Sequence, residues 1–307
     1  MTSEAPDLGR GVAAREELPW AAVRRLALKV DFAIGTFAEA VGAALVLAET
    51  CILFSGVVSR YVFNSPLMWT DELANFLFLW LAMLGAGVAF RRDGHMRLTT
   101  FVNSLSPERA QWLGTVGALV VIVFVLEILV PAAQYLQVQQ STELITLPLS
   151  DGYRVLALLV GPTLLAIVAL LRLLETTTWR GLVLALLVVG VVAGGLWLAQ
   201  PVLMAIGNGS LVLFFVVLVA ACVIIGVPIA FTFGIATFSY LALTTSLPLS
   251  IVVNRIDDGI SNLLLLAVPM FVFLGLLLEM TGIARVMVNF LAALIGHVKG
   301  GLSYVLL

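Results

Sequence analysis

Gly259, Ser261 and Asn262, with Pro269 a few residues on, set small and oxygen-bearing groups into an otherwise apolar segment, DDGISNLLLLAVPMFVFLGLLLEM (257–280). Glycine and proline interrupt helices, and an interrupted helix leaves N–H and C=O groups without internal partners. Inside a membrane such groups are tolerated only where they face protein, water or a ligand, and secondary transporters use them to hold ions and carboxylates. The chemistry on offer is coordination rather than bond making. Two arrangements fit the segment: a hairpin of two short arms closed by Glu279, Thr281 and Gly282, or one ordinary span kinked at Pro269.

Ionisable residues within apolar runs are functional candidates by default, and Glu39, Glu49 and Glu127 qualify. Glu39 and Glu49 stand about three turns apart on one helix, and Glu127 lies on another run. None has a partner legible in the sequence, so they point to helix packing rather than to an enzyme. The two histidines, His95 and His297, are far apart, and Cys51 and Cys222 both sit in apolar runs as small hydrophobes. No metal framework follows from them, and His297 reads as a solvent-facing or capping residue.

A third pattern is TDELANFLFLWLAMLGAGVAFRRDGHMRL (70–98), with two acids at its head and two arginines and a histidine at its tail. Acids suit the N-terminal end of a helix dipole and arginines its C-terminal end, with Thr70 as an N-cap. The segment therefore reads as a firmly placed membrane helix.

The elements that must position these groups are membrane helices. Hydrophobic residues make up 62% of the chain and charged residues 11%, against about half and about a quarter in soluble domains. Apolar runs near the ~20 residues that a spanning helix needs lie around 34–58, 73–90, 111–133, 153–174, 181–199, 210–226 and 228–246. The alternation of a β-barrel is absent. The expected fold is an all-α polytopic membrane protein of about seven spanning helices, with a broken or re-entrant hairpin and, at 283–297, an interfacial helix. A net charge of −2 gives no sign of nucleic acid as a partner.

Arginine and lysine mark the cytoplasmic side. They concentrate before the first span, after the second (Arg91, Arg92, Arg97, Arg109) and after the fourth (Arg172, Arg180), while the alternate loops hold Arg60 alone. The N-terminus is expected inside. Residues 1–31 read as a cytoplasmic leader with an amphipathic helix on the inner membrane surface, 32–175 as a four-helix membrane domain, 176–205 as a connecting helix, and 206–307 as the start of a further, incomplete domain. The final run, GLSYVLL, is too short to span, so the sequence reads as the front of a longer chain.

The block at 59–98 resembles the small membrane subunit of the TRAP (tripartite ATP-independent periplasmic) transporters through Arg60, Trp69, Glu72, Leu84, Gly85, Ala86, Arg91 and His95. The block GVPIAFTFG (226–234), followed by 260–302, resembles the start of the large subunit. The residues that carry this are Gly226, Pro228, Leu265, Leu266, Ala267, Pro269, Phe271, Gly275, Gly282, Ile283, Ala284, Arg285, Gly300, Gly301 and Leu302. The resemblance implies a fused small-plus-large permease in a bacterial inner membrane. It implies sodium-driven uptake of an organic acid anion (a carboxylate) by an elevator movement, delivered by a periplasmic substrate-binding protein. No cofactor is implied, and no metal beyond sodium as coupling ion. Sodium takes oxygen ligands, which makes Gly259, Ser261, Asn262 and backbone near Pro269 the ion or substrate candidates, with Arg285 positioning the hairpin. Arg60, Trp69, Asp71, Glu72, Arg91 and His95 become scaffold or partner-contact candidates, Asp71 and Glu72 facing the binding protein. Membrane lipid and the remainder of the large permease domain are the other implied partners. The alternative is a non-transporting scaffold or assembly subunit.

Overall fold

A computed structural model describes residues 21–295. The chain is helical throughout that range, apart from short connections and one isolated β-bridge between Glu143 and Ser150. Six of its helices are long and apolar enough to cross a membrane, and a bent pair adds a seventh if counted as one span.

Helix α1 runs unbroken from Ala21 to Tyr61. The amphipathic segment expected to lie on the surface is, from Ala21 onward, the first part of this helix; residues 1–20 fall outside the described range. No proline interrupts 21–61, and the acids that would resist continuation, Asp31 and Glu39, are answered by Arg91 and Arg92 of the next helix. Helix α2 spans Trp69–Arg91. Thr70 is not its cap: its hydroxyl donates to the Leu67 carbonyl at 2.8 Å, and the buried side chain fills the space left by Gly56 of α1. After a short α3 (Thr100–Asn103), α4 runs from Pro107 to Gln139. A one-turn α5 (Gly152–Val155) leads into α6 (Ala157–Thr176), and the two count together as one crossing.

Small residues let these helices close. A Cβ on Gly161 of α6 would lie 2.6 Å from the Met83 Cβ and 3.0 Å from its carbonyl oxygen on α2. Helix α7 (Trp179–Leu198), within the 176–205 segment, is mostly exposed and seated on α4 and α6 through buried Ala185, beside Val116, Leu119 and Leu173. The Thr178 hydroxyl caps it, accepting from the Gly181 N–H.

The next crossing, Gln200–Ile225, is longer and less regular than the apolar run suggested. It is assembled from α8 (Gln200–Ile206), a 3₁₀ turn at Gly207–Gly209, α9 (Ser210–Val212), a π-helical stretch at Leu213–Leu218 and α10 (Val219–Ile225). Gly226, at φ +88°, ends it in the left-handed conformation that glycine adopts without a Cβ penalty. Helix α11 follows at Ile229–Thr244. With 16 residues it falls short of the ~20 needed to span, so the expected crossing at 228–246 is a shorter apolar helix. It approaches α4 closely, because a Cβ on Gly234 would meet the Phe124 ring at 2.5 Å.

The break near the end lies at Ser261–Asn262, not at Pro269. Helix α12 (Ser250–Ile260) and helix α13 (Leu263–Met280) meet there at a bend of 49°. The Asn262 side chain accepts the Leu264 N–H at 3.0 Å and starts the new helix. Pro269 lies within α13, where it removes one backbone hydrogen bond but leaves the helix continuous. Gly282 (φ +74°) separates α13 from α14 (Ile283–Ile295), a helix within the 283–297 segment expected to lie at the interface. His297, Gly300, Gly301 and Leu302 lie outside the described residues.

Helices α2, α4 and α6 pack against the segment after α7 through two apolar clusters. Leu79, Ile128, Val155 and Leu158 pack with Phe238, Val252 and Val253. Phe90, Val121, Val125 and Val168 pack with Cys222, Val227 and Phe231.

Candidate functional site

At one end of the bundle the beginning of the break is tied to the front helices through Arg154. This residue lies on α5, three positions after Asp151. Its Nε donates to Asp151 Oδ1 at 2.6 Å, and its Nη2 to Asp151 Oδ2 at 3.1 Å. The same guanidinium reaches 103 positions along the chain to α12, with Nη1 to Asp257 Oδ1 at 2.6 Å and Nη2 to Asp257 Oδ2 at 2.9 Å. Nη1 also donates to the Ser261 hydroxyl at 3.0 Å, and that hydroxyl donates to Asp257 at 3.2 Å. From α4, the Tyr135 hydroxyl donates to Asp257 Oδ2 at 2.9 Å and accepts from Gln139 Nε2 at 3.0 Å. From α2, Asn75 Nδ2 donates to the Ser261 carbonyl at 2.9 Å.

Asp151 and Asp257 are 6% and 3% exposed, so neither charge is relieved by water. One planar guanidinium that bridges both with paired N–H groups satisfies them together. The cluster opens to a cavity of about 520 Å³ whose rim adds Asp71, Glu72, Glu143 and Asp258. The cluster holds four helices in register around the break.

The candidate residues fall into this frame unevenly. Ser261 is bound within the protein at its N–H, its carbonyl and its hydroxyl. Asn262 is the helix cap. Gly259 faces open space on α12. Pro269 stands seven residues beyond Asn262, about 10 Å along α13. The structure therefore brings Ser261 and Asn262 to the break and leaves Gly259 and Pro269 apart from them. Arg285, on α14, lines a depression with Glu279 and Thr281.

The scaffold candidates divide between the two ends of α2. At the Asp71 end, Arg60 pairs with Asp71 at 3.2 Å across α1 and α2, with both side chains about half exposed. Glu72 is hydrogen-bonded to the protein's own loop. It accepts the N–H groups of Ile145 and Thr146 at 2.7 Å each and the Thr146 hydroxyl as well, holding the loop between α4 and α5. Trp69 opens α2 and is partly exposed. At the other end, Arg91 donates to Asp31 at 2.7 Å and to Glu39 at 3.3 Å, and Arg92 pairs with Glu39 at 2.7 Å. Glu39 thus has the packing role expected of it. Glu49 is buried with neither oxygen hydrogen-bonded to any described residue.

His95 lies against the Phe90 and Phe231 rings, with centroids at 6.2 and 5.0 Å. Burial in this aromatic setting lowers its pKa below the ordinary value. For Asp93 nearby, burial pushes the pKa up, but the Arg172 hydrogen bond and the Arg172 and Arg97 charges outweigh it and hold the carboxyl below its ordinary range.

Arg154, Asp151, Asp257, Tyr135 and Asn75 were not singled out in the sequence. A signal was present: Arg154 is a lone cation at the start of an apolar run on the arginine-poor side, which calls for a buried acid partner. The pairing with Asp257 is long-range, and spacing does not reveal it.

The class defined by these features is a multi-pass helical membrane protein in which two helix groups are joined by a buried ionic cluster. Residues 49–179 match the family described as tripartite ATP-independent periplasmic transporters, DctQ component. Residues 215–307 match the DctM component of the same transporters. The chain is similar to the sialic acid TRAP transporter permease protein SiaT of Haemophilus influenzae, 27% identical over 89% of this chain and 46% of that protein. It is similar to the sialic acid TRAP transporter small permease protein SiaQ of Vibrio cholerae, 32% identical over 42% of this chain and 74% of that protein. It also matches the isethionate TRAP transporter permease protein DctMQ of Oleidesulfovibrio alaskensis, 26% identical over 77% of this chain and 37% of that protein. The chain belongs to the TRAP transporter family and carries DctQ and DctM parts fused in one polypeptide. It spans less than half the length of the permeases SiaT and DctMQ that it matches. The family is one of transport permeases, not of enzymes.

Proposed function

We propose that the chain is the leading part of a sodium-driven, binding-protein-dependent carrier that takes up an organic acid anion across a bacterial inner membrane, with its N-terminus cytoplasmic. The observation that carries this reading is the presence of both TRAP components in one chain, packed through two apolar clusters and the Arg154 cluster. The alternation of arginine-rich and arginine-poor loops supports the orientation. On this orientation the Arg60–Asp71 pair, the loop held by Glu72 and the acid-rimmed cavity lie on the periplasmic side, where a binding protein delivers its cargo.

In an elevator, a moving body slides against a fixed one. The front helices and α12, held by a buried ion pair and the apolar clusters, suit the fixed body. Helices α13 and α14 expose Leu264, Phe271, Met280 and Phe290, and the remainder of the large component or lipid would cover them. Sodium would bind beyond the break, where Pro269 has no N–H to give to the Leu265 carbonyl and leaves an oxygen free. Relatives named for sialic acid, C4-dicarboxylate and isethionate define the anions to try. Uptake of these anions by cells expressing the gene, with and without its binding protein, tests the reading. Uptake that disappears with the binding protein is expected; uptake that persists without it would refute the reading.

A further inference from the structure

The opposite end of the bundle holds a second cavity, of about 310 Å³, that the transport reading does not use. Its rim carries Arg97, Arg172 and Gln111, and its floor Val102, Ala118 and Ile225. Two guanidinium groups share one carboxylate there. Arg172 grips Asp93 at 2.5 and 2.9 Å, and Arg97 touches the same carboxylate at 3.3 Å. One positive charge is left over. Arg172 is also fixed against the Phe90 carbonyl and ring, whereas Arg97 makes this single ion-pair contact among the described residues and keeps donors to spare.

The cavity has two characters along its length. Gln111 lies one turn into α4 and Arg172 near the end of α6, where the apolar runs of both helices end. From Gln111 to Ala118 the wall descends about 10 Å along α4 and becomes apolar. Gly114 stands between them, and a Cβ added there would meet nothing within 4 Å. A soluble anion would satisfy the rim and leave the floor uncovered. A phosphate carrying a glycerol and acyl chains matches both, and basic pockets between membrane helices hold such headgroups. The cavity also straddles the junction of the two TRAP parts. Gly226 and Pro228 close one side, the loop bearing Asp93 and His95 closes the other, and the Ile229 N–H reaches across to the Met96 carbonyl at 3.1 Å.

We propose that this cavity binds the phosphate of an anionic phospholipid, with the start of its acyl chains on the apolar floor, and that the lipid bridges the DctQ and DctM parts. The test measures binding of short-chain phosphatidylglycerol, phosphatidylcholine and inorganic phosphate to the detergent-purified protein by native mass spectrometry. Arg97→Gln removes one rim charge and leaves the Arg172–Asp93 pair in place. Gly114→Leu adds apolar bulk from a position where a Cβ meets no neighbour, without a change of charge. Phosphatidylglycerol is expected to bind more tightly than phosphatidylcholine, and to weaken about fivefold in Arg97→Gln and at least as much in Gly114→Leu. The unliganded melting temperature should stay at or above that of the parent in Gly114→Leu, which separates a lost ligand from a damaged fold. Inorganic phosphate that binds as tightly as phosphatidylglycerol, and is lost in Arg97→Gln, would overturn the lipid and assign the rim to a soluble anion. Equal binding of the two lipids, or phosphatidylglycerol binding unchanged in both variants, would overturn the site.

Discussion

Replacing Asp257 by Asn keeps the shape of the side chain and removes its charge. Asp257 accepts two hydrogen bonds from Arg154, one from Tyr135 and one from Ser261, at 2.6 to 3.2 Å, and is 3% exposed. An amide in its place offers one oxygen and turns an NH₂ toward a guanidinium nitrogen. Breaking a buried ion pair by removing one partner costs about 3–5 kcal/mol. Arg154 retains Asp151, so the loss should fall at the lower end, about 3 kcal/mol. Arg154→Met should cost more, about 5 kcal/mol, because Asp151 and Asp257 are then both buried without a cation. The double variant Arg154→Met, Asp257→Asn should recover part of that loss, since only Asp151 stays uncompensated. Unfolding in mixed micelles, followed by tryptophan fluorescence, gives the free energies for this cycle. A Asp257→Asn variant within about 0.5 kcal/mol of the parent, or strictly additive losses in the double variant, would refute the claim that this pair joins the two parts.

Three further outcomes follow from the same geometry. Gly161→Ala should destabilise by about 1–3 kcal/mol, because its Cβ would press on the Met83 backbone; an unchanged unfolding free energy would mean that α2 and α6 are less closely packed. Glu72→Ala should free the loop between α4 and α5, with amide exchange at Ile145 and Thr146 faster by about tenfold, and exchange that stays slow would show the loop is held otherwise. The fold lowers the His95 pKa, so the unfolded chain takes up the proton first, and stability falls as pH drops below about 6.5. Asp93 behaves in the same sense further into the acid range, below about 4. His95→Phe keeps the aromatic packing and should flatten the melting-temperature profile between pH 7 and 5; an unaltered slope would assign it to another group.

Much of the architecture was legible because lipid enforces it. Apolar runs of spanning length, and Arg91 and Arg92 at a helix end, announce α2 and its neighbours with no tertiary knowledge. What escaped was set by contacts remote in sequence. Helix α1 absorbs the amphipathic leader from Ala21 onward because Asp31 and Glu39 find arginines on α2. The break sits at Asn262 rather than Pro269 because a side-chain cap begins a helix more effectively than one missing N–H ends it. Ser261 was legible as a special residue, but its engagement by Arg154 and Asn75 was not, since those partners lie 107 and 186 positions away.

The proposal as a whole is tested most directly by anion uptake into proteoliposomes holding the permease encoded by the gene that carries this chain, with its binding protein outside and an imposed sodium gradient. Uptake that requires both the inward gradient and the binding protein, without ATP, is the predicted result. Uptake that proceeds at the same rate after the sodium gradient is collapsed would contradict sodium coupling and with it the proposed mechanism.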